Sequence, residues 1–293
     1  MRLPHGHVGF FVRIKPDWDT HLHAIRREEL ARIFGQCEED AFDRGLELGA
    51  GDGFQSTLLA RYVRFLVVSD YQLNIAQAVD TAAVAYRVCD AEQVGETFGA
   101  GEFDLVFSSN VLEHLPRPQA ALAGIHRVLR DDGVAIHVMP SVFWKLCQMA
   151  LFWPNQAIDR IERYSEKRAA RAEGTQADCA EGNNPKVTAR RYGYLRRLLW
   201  PIPHGAASSN WAELIGFRQA RWRSEFEAAG FSVAAVILGP VFSGYGFGLN
   251  RVAAALERLK LASEYAYVTV KQERQSPRLA QITRQTPARP STV

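Results

Sequence analysis

Short apolar runs alternate with amphipathic segments through the first half of the chain, and this alternation limits the possible folds more than any other feature. Five runs have the length of buried strands, at residues 45–50, 65–70, 85–90, 103–110 and 133–141. Helix candidates lie near residues 54–62, 72–80 and 117–130. Strands that are apolar along their whole length and are separated by helices are typical of a parallel sheet covered on both faces. The sequence therefore predicts an α/β fold.

The remaining segments extend this sheet and interrupt it once. A helix is predicted over residues 17–36, capped by Asp17 or Asp19. The alternation stops after Pro140 and resumes with a helix over 217–229 that ends at Gly230. Two further strands, at 231–239 and 263–272, flank a helix over 249–260 and are expected to close the sheet as an antiparallel pair. The prediction is a doubly wound, mostly parallel seven-stranded sheet with an α-helical insertion after the fifth strand.

The same pattern divides the chain into four parts. They are an N-terminal helical arm (1–44), a core formed by 45–140 and 217–272, an insertion (141–216) and a disordered tail (273–293). The tail prediction follows from its richness in Gln, Arg, Pro and Thr.

Charge and cysteine content exclude several classes of function. The net charge is +3, and residues 272–293, with four Arg and one Glu, account for it, so no nucleic-acid partner is expected. The four cysteines form no CxxC pair and have no His cluster beside them, which predicts free thiols in a reducing compartment and no metal site. No signal peptide is expected, and the longest apolar stretch, 142–153, is too short and too interrupted to span a bilayer. These features predict a cytoplasmic protein and leave its oligomeric state open.

The most informative motif is a glycine-rich loop where the first strand passes into a helix. Glu47 is followed by glycines at positions 49, 51 and 53, which permit a tight turn and close approach of a ligand to the backbone. A dinucleotide fingerprint requires a glycine where Phe54 stands, and a Walker A loop requires a Gly-Lys-Ser/Thr run that is missing. An acid two residues before the first glycine disfavours a pyrophosphate and favours a cationic ligand.

Three further segments accompany this loop in order. Asp70 ends the second strand, 23 positions after Glu47, and Asp90 follows the third strand with Ala91 beside it. The fourth strand reads FDLVFSSNVLEHL over residues 103–115. Together with the acid-x-Gly-x-Gly-x-Gly loop, these segments resemble the class I S-adenosylmethionine-dependent methyltransferases, in particular their broad small-molecule (type 11-like) branch. The resemblance covers residues 45–140 well and 217–272 more loosely.

The resemblance implies a Rossmann-like fold and S-adenosylmethionine as the cofactor. It assigns the ribose hydroxyls to Asp70 and the adenine to the surroundings of Asp90. Asn110, or the backbone near Ser108, is then expected to hold the methionine ammonium and to face the methyl group. The implied cofactor-binding residues are Glu47, Gly49, Ala50, Gly51, Gly53, Asp70, Tyr71, Asp90, Ala91, Ser109 and Asn110.

Structural roles for the same residues stay open at this point. Glu47 could cap a turn, Asp70 could cap the helix predicted over 72–80, and Asp90 could cap the next helix. Glu113 could only orient a loop, and His114 could be a packed residue at a helix start.

The sequence of the fourth strand also excludes several classes of methyl acceptor. It lacks the Asp/Asn-Pro-Pro-aromatic run of amino-methylating nucleic-acid enzymes, the Pro-Cys nucleophile of cytosine-C5 enzymes and the metal-binding Asp of catechol-type enzymes. The insertion combines aromatic runs at 141–153 and 194–203 with ten Lys/Arg and five Asp/Glu over 160–200. This composition suits an acceptor with an anionic head and an apolar part, or a peripheral contact with the inner membrane face. Packing of the insertion onto the core is the alternative explanation.

The function predicted is metal-independent methyl transfer to a small-molecule or cell-envelope saccharide or lipid acceptor, at a hydroxyl or carboxyl oxygen. A fragmentary resemblance of the segment that starts at Pro203 to methyltransferases of cell-envelope pathways supports this acceptor class. His114, His204 and Glu213 are the candidate catalytic residues. The competing hypotheses are a non-catalytic protein that binds the cofactor, and another transferase or decarboxylase that uses it.

Overall fold

The computed structural model describes residues 15–79, 81–172, 201, 203, 207–246 and 250–282. Its centre is a seven-stranded sheet in the order β3-β2-β1-β4-β5-β7-β6. The strands are β1 (Phe42–Leu48), β2 (Val63–Asp70), β3 (Val84–Val88), β4 (Phe103–Ser109), β5 (Leu129–Pro140), β6 (Phe231–Leu238) and β7 (Glu264–Lys271). Strands β1 to β5 are parallel, whereas β7 runs antiparallel to both β5 and β6. The predicted doubly wound, mostly parallel sheet with a closing antiparallel pair is confirmed.

Helices cover both faces of the sheet. They are α1 (Trp18–Phe34), α2 (Phe54–Leu59), α3 (Val94–Thr97), α4 (Pro118–Val128), α5 (Val142–Ala172), α6 (Asn210–Gly216), α7 (Gln219–Ala228), α8 (Asn250–Arg258) and α9 (Leu279–Ile282). Short 3-10 helices follow β3 (Ala91–Gln93) and β4 (Leu112–His114). The predicted N-cap of the first helix is Asp17, whose side chain accepts a hydrogen bond from Thr20 N.

Alternating side chains of β5 show how the two cores form. Val134 and Ile136 belong to a cluster that includes Phe34 of α1, whereas Ala135 and Met139 belong to a cluster on the opposite face. The second cluster includes Trp222 and Phe226 of α7 and Leu122 of α4, all fully buried. Each strand residue therefore meets apolar surface whichever way it points, which explains the continuous apolar runs in the sequence.

The helix predicted over residues 72–80 is not present in residues 71–79. Ala76 N and Gln77 N both donate to Asp52 O, at 2.8 and 2.9 Å, and Val79 N donates to the Tyr86 hydroxyl at 2.7 Å. These backbone amides bond to the glycine-rich loop and to β3, so they do not form the hydrogen bonds of a helix. Packing has overridden the local propensity here.

The helix predicted over 217–229 is confirmed as α7, and α6 precedes it within the predicted insertion. The prediction for the tail differs from the structure. Residues 273–282, predicted to be disordered, are packed against the core: Ile282 is buried and Arg278 pairs with the buried Asp104 at 2.6 Å. Residues 283–293 lie outside the described part of the chain.

The insertion begins with α5 directly after β5. Residues 173–200, and with them Arg196 and Arg197 of its basic segment, lie outside the described residues. Among the helices that the structure describes, none is both long enough and apolar enough to cross a membrane.

Candidate functional site

The glycine-rich loop lies at the carboxyl end of β1, and its three glycines have different roles. All three have a positive φ: 77° at Gly49, 59° at Gly51 and 86° at Gly53. A Cβ at Gly49 would overlap Val111 Cγ2, and a Cβ at Gly53 would lie 2.7 Å from Gln77 O. A Cβ at Gly51 would meet no atom within 4 Å. Gly49 and Gly53 are therefore required for packing, whereas Gly51 faces open space that a ligand can enter.

Asp70 is positioned beside this open space by the parallel pairing of β1 and β2. Its Oδ2 accepts a hydrogen bond from Gly51 N at 2.9 Å, and its Oδ1 accepts one from Gln72 N at 3.2 Å. Ala50 is buried and donates its N–H to Ser69 O, while Tyr71 is exposed. Because residues 71–79 form no helix, Asp70 does not act as the cap of one.

Asp90 and Ala91 lie along the same edge of the sheet, after β3. Asp90 caps the 3-10 helix that follows, with Oδ1 accepting a hydrogen bond from Glu92 N at 2.9 Å, and Ala91 is buried. The capping role is thus present in the structure, at the position where the resemblance places the adenine.

Glu47 is the most deeply buried acid of the loop. Its side chain is 2% exposed, and its Oε2 has no hydrogen-bond partner among the described residues. Burial, aided by the nearby carboxyl groups of Glu29, Asp70 and Asp52 and opposed by Ser56, raises the pKa of Glu47 to about 7. A buried carboxyl group with a free acceptor atom suits a cationic or hydrogen-bond-donating ligand.

Helix α1 packs over the loop and over the end of β4. On the loop side, His23 Nε2 lies 2.6 Å from Asp52 Oδ2, and Gln55 Nε2 donates to Glu29 Oε1 at 2.6 Å. On the strand side, Arg26 Nη1 contacts Ser109 Oγ at 2.7 Å. The helix thereby connects the predicted cofactor loop to the segment after β4.

Ser109 and Asn110 end β4 under α1. Ser109 Oγ donates to Glu29 Oε2 at 3.2 Å. Asn110 has a positive φ of 52°, and its backbone N donates to Val138 O. In the amide orientation that gives both side-chain atoms partners, Asn110 accepts from both Arg26 terminal nitrogens, at 2.8 and 2.9 Å, and donates to Glu113 Oε1 at 3.2 Å. Non-glycine residues with this backbone conformation concentrate at functional sites.

Glu113 and His114 follow in the 3-10 helix after β4. Glu113 is buried, and burial raises its pKa to about 8. The His114 side chain is 41% exposed, its Nε2 lies 3.8 Å from Glu113 Oε1, and partial burial lowers its pKa. Of the three catalytic candidates, His114 is the one that the structure places at the carboxyl ends of the strands with solvent access.

The other two catalytic candidates have different positions. Glu213 lies on α6, where its side chain and that of Lys145 on α5 are both fully buried and form an ion pair of 2.5 Å. Lys145 Nζ also donates to Gln148 Oε1 at 2.7 Å. His204 lies outside the described residues. The catalytic roles of Glu213 and His204 stay predictions.

Sequence reasoning missed the acids and bases that lie outside the glycine-rich loop and the fourth strand. Arg26, Glu29 and Lys145 come from helices, and Glu264 is the first residue of β7. One signal was available for Glu29, which stands four residues from both Ile25 and Ile33 and so interrupts the apolar face of α1. Glu264 had no such signal, because its burial depends on where the antiparallel strand begins.

No group of three or more His, Cys, Asp or Glu side chains that could hold a metal ion occurs in the described part of the chain.

Comparison with known proteins agrees with this geometry. Residues 46–137 match a family model described as a methyltransferase domain. Curated relatives include the ubiquinone biosynthesis O-methyltransferase of Pseudomonas aeruginosa, 32% identical over 94 residues, which are 30% of this chain and 40% of that enzyme. The chain thus spans well under half the length of the curated relatives that it matches.

Two solved structures show the same fold over most of the chain. One is a putative methyltransferase in complex with the Haloferax volcanii Trm112 methyltransferase activator: TM-score 0.50, 18% identity, 86% of this chain and 91% of that chain. The other is a putative S-adenosylmethionine-dependent methyltransferase from Listeria monocytogenes: TM-score 0.50, 13% identity, 87% of this chain and all of that chain (100%). At these identities the likeness concerns the fold.

Proposed function

We propose, from the premise that residues 46–137 form a methyltransferase domain of the class I small-molecule type, that the whole protein is an S-adenosylmethionine-dependent methyltransferase. Its acceptor is a small molecule or a cell-envelope saccharide or lipid, methylated at a hydroxyl or carboxyl oxygen without a metal ion. The O-methyltransferase activity in the name of the Pseudomonas relatives supports an oxygen acceptor.

The observation that carries this proposal is the open space over Gly51 between two acids. Asp70 borders it from β2 and holds the loop through Gly51 N, and Glu47 lies beneath the loop on β1. A carboxylate at a strand end can accept paired hydrogen bonds from ribose hydroxyls. The absence of a lysine from the loop and the buried Glu47 are unfavourable for a polyphosphate.

The residues of this edge fit the separate parts of S-adenosylmethionine. Asp70 would hold the ribose, Ala91 and Asp90 would border the adenine, and Asn110 with Ser109 would hold the methionine end. When bound, the cofactor supplies a methyl group on a positively charged sulfur, which is already a good leaving group. The chain itself orients the acceptor and excludes water, and such placement supplies roughly 7–11 kcal/mol in well-oriented reactions.

The acceptor is expected over the ends of β4 and β5, between α1 and the insertion. His114 is the proposed residue for accepting a proton from a hydroxyl there, because burial keeps its imidazole neutral and its edge is accessible. His204 and Glu213 remain candidates for contact with the acceptor. The proposed peripheral membrane contact rests on the basic segment of the insertion.

Calorimetry with four ligands tests the cofactor. S-adenosylmethionine and S-adenosylhomocysteine are expected to bind, and NAD and ATP are not. Binding of NAD without a response to S-adenosylmethionine would contradict the proposal.

Transfer of a labelled methyl group to fractions of a cell extract then tests catalysis. A labelled product found by mass spectrometry separates an enzyme from a protein that only binds the cofactor. A product that carries a propylamine group instead would favour the other transferase.

A further inference from the structure

Three buried carboxyl groups meet at the carboxyl ends of β4 and β5, and we call them the acidic cluster. Glu29 comes from α1, Glu113 from the 3-10 helix after β4, and Glu264 from the start of β7, paired in register with Pro140 at the end of β5. All three are at most 9% exposed. Glu113 and Glu264 lie on the side of the sheet away from β2 and Asp70, whereas Glu29 also accepts a hydrogen bond from Gln55 beside the glycine-rich loop.

One guanidinium faces these three carboxyl groups. Arg26 Nη1 lies 2.6 Å from Glu29 Oε2 and 3.7 Å from Glu264 Oε2. The electrostatic influence of Arg26 also reaches Glu113. The other titratable groups that bear on Glu113 are His114, whose Nε2 lies 3.8 Å from Glu113 Oε1, and Glu213 of α6, which is already paired with Lys145. Among the described residues, the acidic cluster therefore holds more potential negative charge than its positive partners balance.

The surplus acceptor atoms suit a cationic ligand. By hydrogen-bond geometry, neither carboxylate oxygen of Glu264 accepts a hydrogen bond from a described residue, although Glu29 and Asn110 lie close enough to shift its pKa. Oε2 of Glu113 likewise accepts none. Buried polar atoms in proteins are nearly always hydrogen-bonded, so these oxygens are available to a donor that enters the site. A divalent metal is disfavoured as that ligand, since no three acidic or His side chains of the described residues are arranged to hold one.

Without a cation, Glu113 and Glu264 of the acidic cluster are held in their neutral form. Burial raises the pKa of Glu113 to about 8, and burial together with Glu29 raises the pKa of Glu264, against the opposing effects of Arg26 and Asn110. A buried carboxyl group that ionises only when a positive partner arrives couples ligand binding to proton release.

The geometry points to a binding site for a protonated amine of the acceptor, formed by Glu264 and Glu113 with Glu29 behind them. This inference rests on the proposed methyltransferase function and narrows it to acceptors that carry an amine beside the oxygen to be methylated. The carboxylates keep that amine charged, so its nitrogen has no free electron pair and the oxygen remains the nucleophile. The site thus supplies recognition and orientation.

Sinefungin tests the inference without knowledge of the acceptor. It carries a protonated amine at the position of the transferred methyl group, whereas S-adenosylhomocysteine carries nothing there and is otherwise alike. The wild type is expected to bind sinefungin more tightly than S-adenosylhomocysteine. Glu264→Gln and Glu113→Gln should each reduce this preference by about tenfold, the scale of one charged hydrogen bond, and leave the affinity for S-adenosylhomocysteine unchanged.

The pH dependence gives a second readout and Glu38→Gln the matched control. The preference for sinefungin should rise from pH 6 to pH 9 in the wild type, with proton release that calorimetry in two buffers detects, and should be flatter in both cluster variants. Glu38 is exposed at the opposite edge of the sheet, before β1, so its variant should behave as the wild type. Glutamine resembles the neutral carboxyl group of the free protein, so both cluster variants should fold.

Two results would overturn the inference and leave the methyltransferase proposal intact. An equal loss of affinity for both ligands in the cluster variants would assign the acidic cluster to the methionine end of the cofactor. An unchanged preference in both variants would show that the carboxyl groups face no amine beside the transferred methyl group. Failure of the wild type to bind either ligand would instead count against the proposed function itself.

Discussion

Asp70 holds the glycine-rich loop and is proposed to bind the cofactor, and substitutions at this residue can separate the two roles. Its oxygens hold Gly51 N and Gln72 N, and its side chain borders the open space over Gly51. We expect Asp70→Ala to weaken binding of S-adenosylmethionine by roughly 1–3 kcal/mol, the range for loss of a charged hydrogen bond. Asp70→Asn should lose less, because its amide oxygen can still accept from Gly51 N. Calorimetry measures both.

Glu38→Ala is the control for this prediction, since it removes an exposed carboxylate at the opposite edge of the sheet. Equal affinities of the Asp70→Ala variant and the wild type, with circular dichroism unchanged, would restrict Asp70 to holding the loop.

The glycine-rich loop and its acids could be predicted at the residue scale because their chemistry is local. A strand, a tight turn and a helix start occupy seven consecutive residues from Glu47 to Gly53, and parallel pairing brings the end of the next strand beside them. Glu264 could not be predicted in this way. It meets Arg26 only because an antiparallel strand, more than two hundred residues later, begins at the same edge of the sheet.

One buried ion pair joins α5 and α6. Lys145 and Glu213 are both fully buried at 2.5 Å, and burial lowers the pKa of Lys145 while Glu213 raises it. Removing one partner leaves a buried charge uncompensated. We therefore expect Glu213→Leu to lower the free energy of unfolding by about 3–5 kcal/mol in urea denaturation.

The double variant Lys145→Met/Glu213→Leu provides the comparison. Because an apolar pair replaces both charges, most of the lost stability should return. A double variant as unstable as the single one would show that the destabilisation comes from packing rather than from the unpaired lysine. Loss of methyl transfer in a stable double variant would indicate a part for Glu213 in the reaction.

At the element scale, the strands were easier to predict than the helices. Both faces of each inner strand are buried, so consecutive residues of these strands are apolar. The sequence pattern therefore identifies a strand without knowledge of which residues face which side. The segment 71–79 has helical composition, yet its amides bond to Asp52 O and Tyr86 instead. The packing of residues 273–282 likewise depends on a partner that is distant in sequence, since Arg278 pairs with Asp104 of β4.

Helix α1 makes the arm and the core one unit in the whole molecule. It contacts the glycine-rich loop through His23 and the end of β4 through Arg26. Arg32, farther along the same helix, pairs with Glu257 of α8 at 2.9 Å and bonds Gly239 O after β6. The helix predicted as part of a separate N-terminal arm thereby covers both the cofactor loop and the acidic cluster.

Buried acids should make the stability of the whole protein fall with rising pH. Burial raises the pKa of Glu47 to about 7 and that of Glu113 to about 8. For a carboxyl group whose pKa is higher in the folded than in the unfolded state, the stabilising contribution is complete below the unfolded value. It is lost as the pH rises through the folded value. Without ligand, the melting temperature should therefore decrease between pH 6.5 and pH 9.

The pH range begins at 6.5 because His137 has the opposite effect on stability below that pH. Burial lowers the pKa of His137 to about 3, so its contribution is lost as the pH falls below the ordinary histidine value of 6.5. Above that value His137 is neutral in both states. In Glu113→Gln the melting temperature should decrease less steeply between pH 6.5 and pH 9, since glutamine does not ionise. Scanning calorimetry of both proteins compares the slopes, with Glu38→Gln as the exposed control, and parallel slopes would show that Glu113 is already ionised in the folded protein at neutral pH.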